Sequence, residues 1–276
     1  MAGRSEQNIA DGAKHRLVAF GLSHGFVRTR DLLRELIARD IKLRYRGSFL
    51  GIVWTLLNPL AELLVLLFVF SVVLKVDIPN FGAHLFTGLI VYGWFQTSVN
   101  FATSAIVGNR ELVRRPGVPV VILPIVTVAS NLVHFVLSLP ILLGLLLVNG
   151  IPLAWTVLML PLLVVVEFLL ILAFAYPVAT IHVWFRDAQH VLRIALQLLF
   201  YLTPIFYEAS SVPAQLQWFY KINPMAHMVD AYRAILMRGE LPGAWSLGYP
   251  IAVSVVLLLV GVTWFRSASH RFADEL

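Results

Sequence analysis

Three ionisable side chains, Glu62, His134 and Glu167, sit inside long apolar runs. Charge placed in hydrocarbon is costly, so such groups turn toward a partner helix or a wet path, or bond to a neighbouring backbone or hydroxyl group. They do not form the chain of carboxylates that a proton-coupled transporter would show. Other reactive constellations are scarce. A phosphate-binding loop needs a glycine-rich turn ending in Gly-Lys-Ser/Thr, so that backbone amides and a lysine hold the phosphates. The four lysines are Lys14, Lys42, Lys75 and Lys221, and none follows a glycine. ATP hydrolysis by that route is excluded. The eight histidines include no pair at metal-binding helical spacing with a carboxylate beside it, so no metal site and no catalytic residue are expected. The remaining local feature is a compact charged loop, Asn109, Arg110, Glu111, Leu112, Val113, Arg114 and Arg115, ahead of Pro116-Gly117. It is long enough for two helical turns lying across the ends of its neighbours, where a stub could transmit force.

The composition says what must hold these groups. Of 276 residues, 59% are hydrophobic and 13% charged, with mean hydropathy +0.83. A soluble domain carries about 25% charged residues, so a soluble enzyme and a disordered chain are both excluded. A polytopic membrane protein remains, its apolar exterior solvated by lipid. Without cysteine there is no disulfide scaffold, thiol chemistry or Cys-ligated metal. The net charge of +6 raises the question of nucleic acid, which the distribution of that charge answers.

Residues 1–27 form an N-terminal segment without a cleavable signal. Over 28–46, Leu32, Leu33, Leu36, Ile37 and Ile41 share one helical face, ringed by Arg30, Arg34, Arg39, Lys42 and Arg44. That pattern predicts an amphipathic helix in the membrane interface. Six spans follow: Leu50 to Val76, His84 to Val107, Val118 to Val148, Ala154 to Trp184, Val191 to Tyr207, and Trp245 to Phe265. Pro204 breaks the fifth near its end. With the N-terminus in the cytoplasm, 17 of the 21 basic residues fall inside, which places both termini there and assigns the basic charge to orientation rather than to nucleic acid. The outer loop between Glu208 and Ala244 carries two amphipathic patterns, through Leu216, Trp218, Phe219 and Tyr220, and through Met225, Met228, Val229, Tyr232, Ile235 and Leu236. Residues 267–276 form a cytoplasmic tail. The fold class is an all-α integral membrane protein of six transmembrane helices, with an N-terminal interface helix and two short outer-face helices between the fifth and sixth spans.

The stretch from Arg39 to Trp54, followed by Asn58-Pro59, resembles the opening of polysaccharide-exporting ABC-2 permeases, the membrane subunits of O-antigen and teichoic acid exporters. The likeness continues through Gly88 to Phe95, Asn109 to Pro119, Trp184-Phe185-Arg186-Asp187, Leu202 to Tyr207, Val212-Pro213, Asn223-Pro224 and Tyr232-Arg233, in family order and spacing. It implies that residues 47–266 are an ABC-2 transmembrane domain, working as a homodimer with two cytoplasmic ATPase subunits that carry the ATP and magnesium. This chain itself would hold no cofactor. The resemblance makes Asn109–Arg115 the coupling stub to the ATPase, and makes Trp218, Phe219, Tyr220, Met228 and Tyr232 part of an outer gate. Its implied substrate is a lipid-linked polysaccharide crossing the bacterial inner membrane. Sugar rings stack their C–H faces on aromatic rings, so Trp54, Tyr92, Trp94, Phe95, Phe200, Tyr201, Phe206 and Tyr207 are channel candidates, although aromatics also belt membrane interfaces. Arg39, Arg44 and Arg46 offer guanidinium forks for the lipid phosphate. The alternative is an ABC-2 permease for a small hydrophobic drug or lipid. A membrane-embedded transferase would need His and Asp/Glu gathered at one depth, and that is absent.

Overall fold

The computed structural model describes residues 29–47 and 51–276, which are helical with no strand among them. The segment 1–27, Arg28 and the start of the first span at Leu50 lie outside the described residues. The chain divides into two compact units, one ending at Arg44 and the other beginning at Tyr45.

In the first unit runs helix α1, residues 29–45. Leu36 is its buried residue, with Leu32, Leu33, Ile37 and Ile41 half-buried on the same face. Arg30, Asp31, Arg34, Glu35, Arg39 and Lys42 are exposed, as apolar positions three and four apart require. Arg44 pairs with Asp40 one turn earlier at 3.7 Å.

The second unit begins with a 3-10 turn at Gly51–Val53 that leads into α2 (Trp54–Leu67), which a π turn over Phe68–Val73 extends. Next come α3 (Phe81–Thr103), the stub α4 (Arg110–Val113) and α5 (Ile122–Val148). A 3-10 turn, Trp155–Met159, opens α6 (Leu160–Trp184), and α7 covers Ala188–Leu202. The short α8 (Trp218–Ile222) and α9 (Pro224–Arg233) precede α10 (Ala244–Ser269) and α11 (Phe272–Glu275).

Four of these are long and apolar enough to cross a membrane: Trp54–Val73, Ile122–Val148, Trp155–Trp184 and Ala244–Ser269. Helix α3 has the length, 23 residues, but carries His84, Thr87, Gln96, Thr97, Ser98, Asn100 and Thr103. It can do so because it is the centre of the bundle, packed by α2, α5, α6, α7 and α9 and buried nearly all round. Helix α7 is apolar but only 15 residues long: it starts at Ala188, earlier than the sequence suggests, and stops at Leu202 because Pro204 cannot continue it.

Packing of α6 on α10 depends on one glycine. A Cβ added at Gly261 would stand 3.0 Å from Pro177 Cδ, so only the missing side chain lets the two helices meet there. Prolines inside α2, α5, α6 and α10 (Pro59, Pro140, Pro177 and Pro250) are the kind that neighbouring helices accommodate in membrane spans.

Candidate functional site

The densest polar network joins α9, α3 and the break after α7. Arg233, at the end of α9, is only 5% exposed. Its Nε and Nη2 donate to the His84 carbonyl at 3.3 and 2.9 Å. Nη1 donates to the Pro204 carbonyl at 2.6 Å and Nη2 also to that of Ile205 at 2.8 Å. Pro204 ends α7 and frees these carbonyls; the planar guanidinium fork satisfies them. Burial pulls the Arg233 pKa down to about 9, with Asp230 acting in the opposite direction, so the side chain remains charged at neutral pH. Gly88 makes room for it, since a Cβ there would lie 3.0 Å from Arg233 Nη2 and from Ile205 Cγ2.

Asn223-Pro224 completes the same assembly. The Asn223 side chain accepts from the Met225 amide at 3.0 Å, capping α9, and donates through Nδ2 to Thr203 Oγ1 at 2.9 Å. Proline at the first helical position loses no hydrogen bond. A π turn, Ala234–Arg238, continues α9, and Gly239 closes it in the left-handed conformation at φ 67°. Met225, Met228, Val229, Tyr232, Ile235 and Leu236 are all buried, with α9 packed against α3, α6 and α10. The two outer segments, which the sequence presents as a matched pair, therefore differ. The first is broken into 3-10 turns, Ala209–Ser211 and Ala214–Leu216, and the five-residue α8. Trp218 and Phe219 there are exposed and stacked at 3.7 Å. Tyr220 is half-buried, its hydroxyl 2.7 Å from that of Tyr207.

Between these segments lies a cavity of about 630 Å³. Its wall includes His84, Tyr220, His227, Asp230, Arg238 and Trp245. Asp230 is held by Arg238 at 2.9 Å, and Trp245 stacks on Tyr249 at 5.9 Å.

The intramembrane candidates occupy three different settings. Glu62 is exposed on α2. His134 is half-buried on α5, with the Tyr45 hydroxyl 3.1 Å from its Nδ1. Glu167 is fully buried on α6 beside the Tyr232 hydroxyl, and their polar atoms fall outside full hydrogen-bond geometry. Tyr232 also packs edge-on to Phe135 at 6.0 Å.

The aromatic candidates divide as sharply. Tyr92, Trp94, Phe95 and Phe200 are buried within the subunit; Trp94 stacks on Phe135 at 5.0 Å and Phe95 meets Phe174 edge-on at 5.5 Å. Trp54 and Tyr201 are 49% and 55% exposed, while Phe206 and Tyr207 are half-buried. The exposed rings stand in two stripes. On α2, Trp54, Asn58 and Glu62 follow one another at four-residue spacing and are all exposed; on α7, Arg193, Gln197 and Tyr201 do the same. The exposed face of α10 is different: Ile251, Val255, Val256, Leu259 and Val260 are purely apolar, as lipid contact requires. A second cavity, of about 260 Å³, lies among Gln96, Thr97, Asn100, Phe101, Arg193 and Leu196.

At the opposite end of the bundle from α8 and α9, a 3-10 turn over Val107–Asn109 runs into α4, giving a helical stub. Arg110, Glu111, Arg114 and Arg115 are exposed, and Asn109, Leu112 and Val113 are half-buried. Asn109 Nδ2 donates to the Ala105 carbonyl at 2.9 Å, fixing the stub to the end of α3. Arg39 is exposed on α1 and Arg44 half-buried there, while Arg46 is exposed in the turn that follows.

Arg233 is one of the four basic residues that fall outside the cytoplasmic set, and its role does not follow from periodicity. The available signal was its departure from the positive-inside trend.

Residues 31–237 match the model of the ABC-2 type transporter family. The chain is 40% identical over 249 residues to the O-antigen export system permease protein RfbA of Myxococcus xanthus, covering 90% of this chain and 96% of that one. It is 30% identical to a protein of the same name from Klebsiella pneumoniae, covering 89% and 95%. Against the polysialic acid transport protein KpsM of Escherichia coli the identity is 27%, over 88% and 95%. This chain belongs to the ABC-2 type transporter family, and its apolar helices make it a membrane-spanning permease subunit.

Proposed function

We propose that the chain is the permease of an ATP-driven exporter of lipid-linked polysaccharide in a bacterial inner membrane. Two copies form the channel and two separate ATPase subunits, binding ATP and magnesium, supply the energy. The polypeptide crosses six times, α3 being the span surrounded by the rest of the subunit and α7 a short span with one face open. Both termini are cytoplasmic, α1 lies in the inner interface, and α4 is the stub that meets the ATPase.

The observation that carries this reading is the pair of polar-aromatic stripes on α2 and α7. Lipid does not solvate Asn58, Glu62 and Gln197 at membrane depth, so these faces line a wet path shared with a second copy. A path with rings for sugar faces and amides for hydroxyls suits a glycan. A permease for a small hydrophobic drug would line that path with apolar groups. The names of the relatives, O-antigen and polysialic acid transport, point to the same substrate class. Arg39, Arg44 and Arg46 would receive the phosphate of the lipid carrier at the inner interface.

Deleting the gene tests the assignment. Glycan should accumulate in the cytoplasm and vanish from the cell surface, and the wild-type gene should restore it. Unchanged surface glycan, with altered efflux of hydrophobic drugs, would favour the other reading.

A further inference from the structure

The C-terminal tail, which the sequence leaves as a tail, is docked. Helix α10 runs to Ser269, beyond the expected end of the span, and one turn later α11 begins. Phe272 has no exposed surface. Its ring meets Phe265 of α10 edge-on at 5.2 Å and Trp184, the last residue of α6, at 5.7 Å. Phe265 in turn packs edge-on to Tyr176 of α6 at 5.2 Å. The amides of Asp274 and Glu275 bond back to the Arg271 carbonyl at 3.1 and 3.3 Å, holding the turn. So anchored, α11 lies against α4 as well as α6. Its Ala273, Asp274 and Glu275 are exposed, next to a stub whose exposed residues include Arg110, Arg114 and Arg115.

The connectivity makes this contact consequential. By sequence, α4 is tied only to α3 and α5. Through α11 it gains a second attachment, to α6 and α10, which otherwise end at the same level without covalent connection to it. Four bulky residues, Phe272, Phe265, Trp184 and Tyr176, anchor α11 to α6 and α10, and α11 lies in turn against α4. Aromatic packing of this kind holds its partners at fixed distance, because interiors are close-packed and transmit displacement.

We infer that α11 braces the coupling stub: Phe272 is a positioning residue that holds α4 against the ends of α6 and α10, so that a push on the stub moves both halves of the bundle. The inference rests on the reading of α4 as the ATPase-facing stub.

The test uses the full-length permease in nanodiscs, alone and with its ATPase. In the permease alone, Phe272→Ala should raise amide exchange over residues 107–113 about tenfold while exchange in α3 and α5 stays as in the wild type. In the reconstituted complex, glycan exported per ATP hydrolysed should fall about fivefold with hydrolysis continuing. Phe272→Leu, which keeps an apolar anchor of similar size and so is expected to fold, should recover most of both signals. Unchanged exchange at 107–113 in Phe272→Ala overturns the brace, as does a rise spread evenly over α3 and α5. Should Phe272→Ala not purify, wild-type chain lacking residues 273–276 serves, and unaltered exchange in the stub again overturns it. Failure of the underlying reading shows separately: the stub of the wild-type permease would gain no protection from exchange when the ATPase binds.

Discussion

Arg233 is charged and buried, and among the described residues it has no carboxylate partner at ion-pair distance; three main-chain carbonyls take that place. Removing such a group exposes the cost of leaving carbonyls unpaired, roughly 1–3 kcal/mol for each. Arg233→Lys keeps the charge but not the fork, and a single ammonium cannot reach the His84, Pro204 and Ile205 carbonyls in the same plane. The lysine variant is expected to lose roughly 2–3 kcal/mol, read as a lowered unfolding temperature of the detergent-solubilised protein. A melting curve that superimposes on the wild type would mean that the break after α7 is held by something else. Glu62 makes the opposite case, since it is exposed and bears no structural load. Glu62→Gln should leave that melting curve unchanged.

At the level of elements, α4 and α9 occupy the two ends of the bundle and are built differently. The stub α4 has half-buried Leu112 and Val113 beneath exposed charges, an arrangement that would leave its outer side to the ATPase on the proposed function. Glu111→Arg reverses the charge on that outer side without touching the residues beneath. In the reconstituted complex, export should fall about tenfold, equivalent to about 1.4 kcal/mol of lost coupling, while ATP hydrolysis persists. Parallel loss of hydrolysis and export would assign Glu111 to assembly instead. The amphipathic pattern of α1 was legible because five apolar positions fall on one face of a 3.6-residue helix, and the Pro204 break because proline leaves no choice. Which rings on α3 face a channel was not legible. Tyr92, Trp94 and Phe95 are consecutive or nearly so on a helix buried nearly all round, so periodicity distinguishes no face there. Their partners Phe135, Phe174 and Phe200 come from three other helices, information that resides only in the packing.

Across the whole molecule, α10 exposes an apolar face, whereas α2 and α7 expose polar residues among apolar ones. The composition carries the membrane reading, and the absence of Gly-Lys leads to the expectation that the energy comes from a separate subunit. The purified chain is therefore expected to hydrolyse no ATP above the vesicle background, and to acquire the activity when the ATPase subunit is added. Hydrolysis by the permease alone, with contaminating ATPases excluded by mass spectrometry, would contradict this. What composition could not convey is the distribution of burial among helices of similar hydropathy. Helices α3 and α10 are both long and carry aromatic residues, yet one is the hub and the other the periphery. That outcome depends on where small residues such as Gly88 and Gly261 permit approach.

The unequal burial of the two outer segments constrains how the pathway can open. Withdrawing α9 would expose Met225, Met228, Val229, Tyr232, Ile235 and Leu236, each worth roughly 1.5–3 kcal/mol when buried. That total rivals the unfolding free energy of an ordinary domain, about 5–15 kcal/mol. On the proposed function, helix α9 would stay part of the frame, and motion would fall to the piece between Glu208 and Ile222, pivoting at Asn223-Pro224. On that function so small a flap would not need to be driven: a glycan threading beneath it would keep it raised, and it would fall shut once the last sugar had passed.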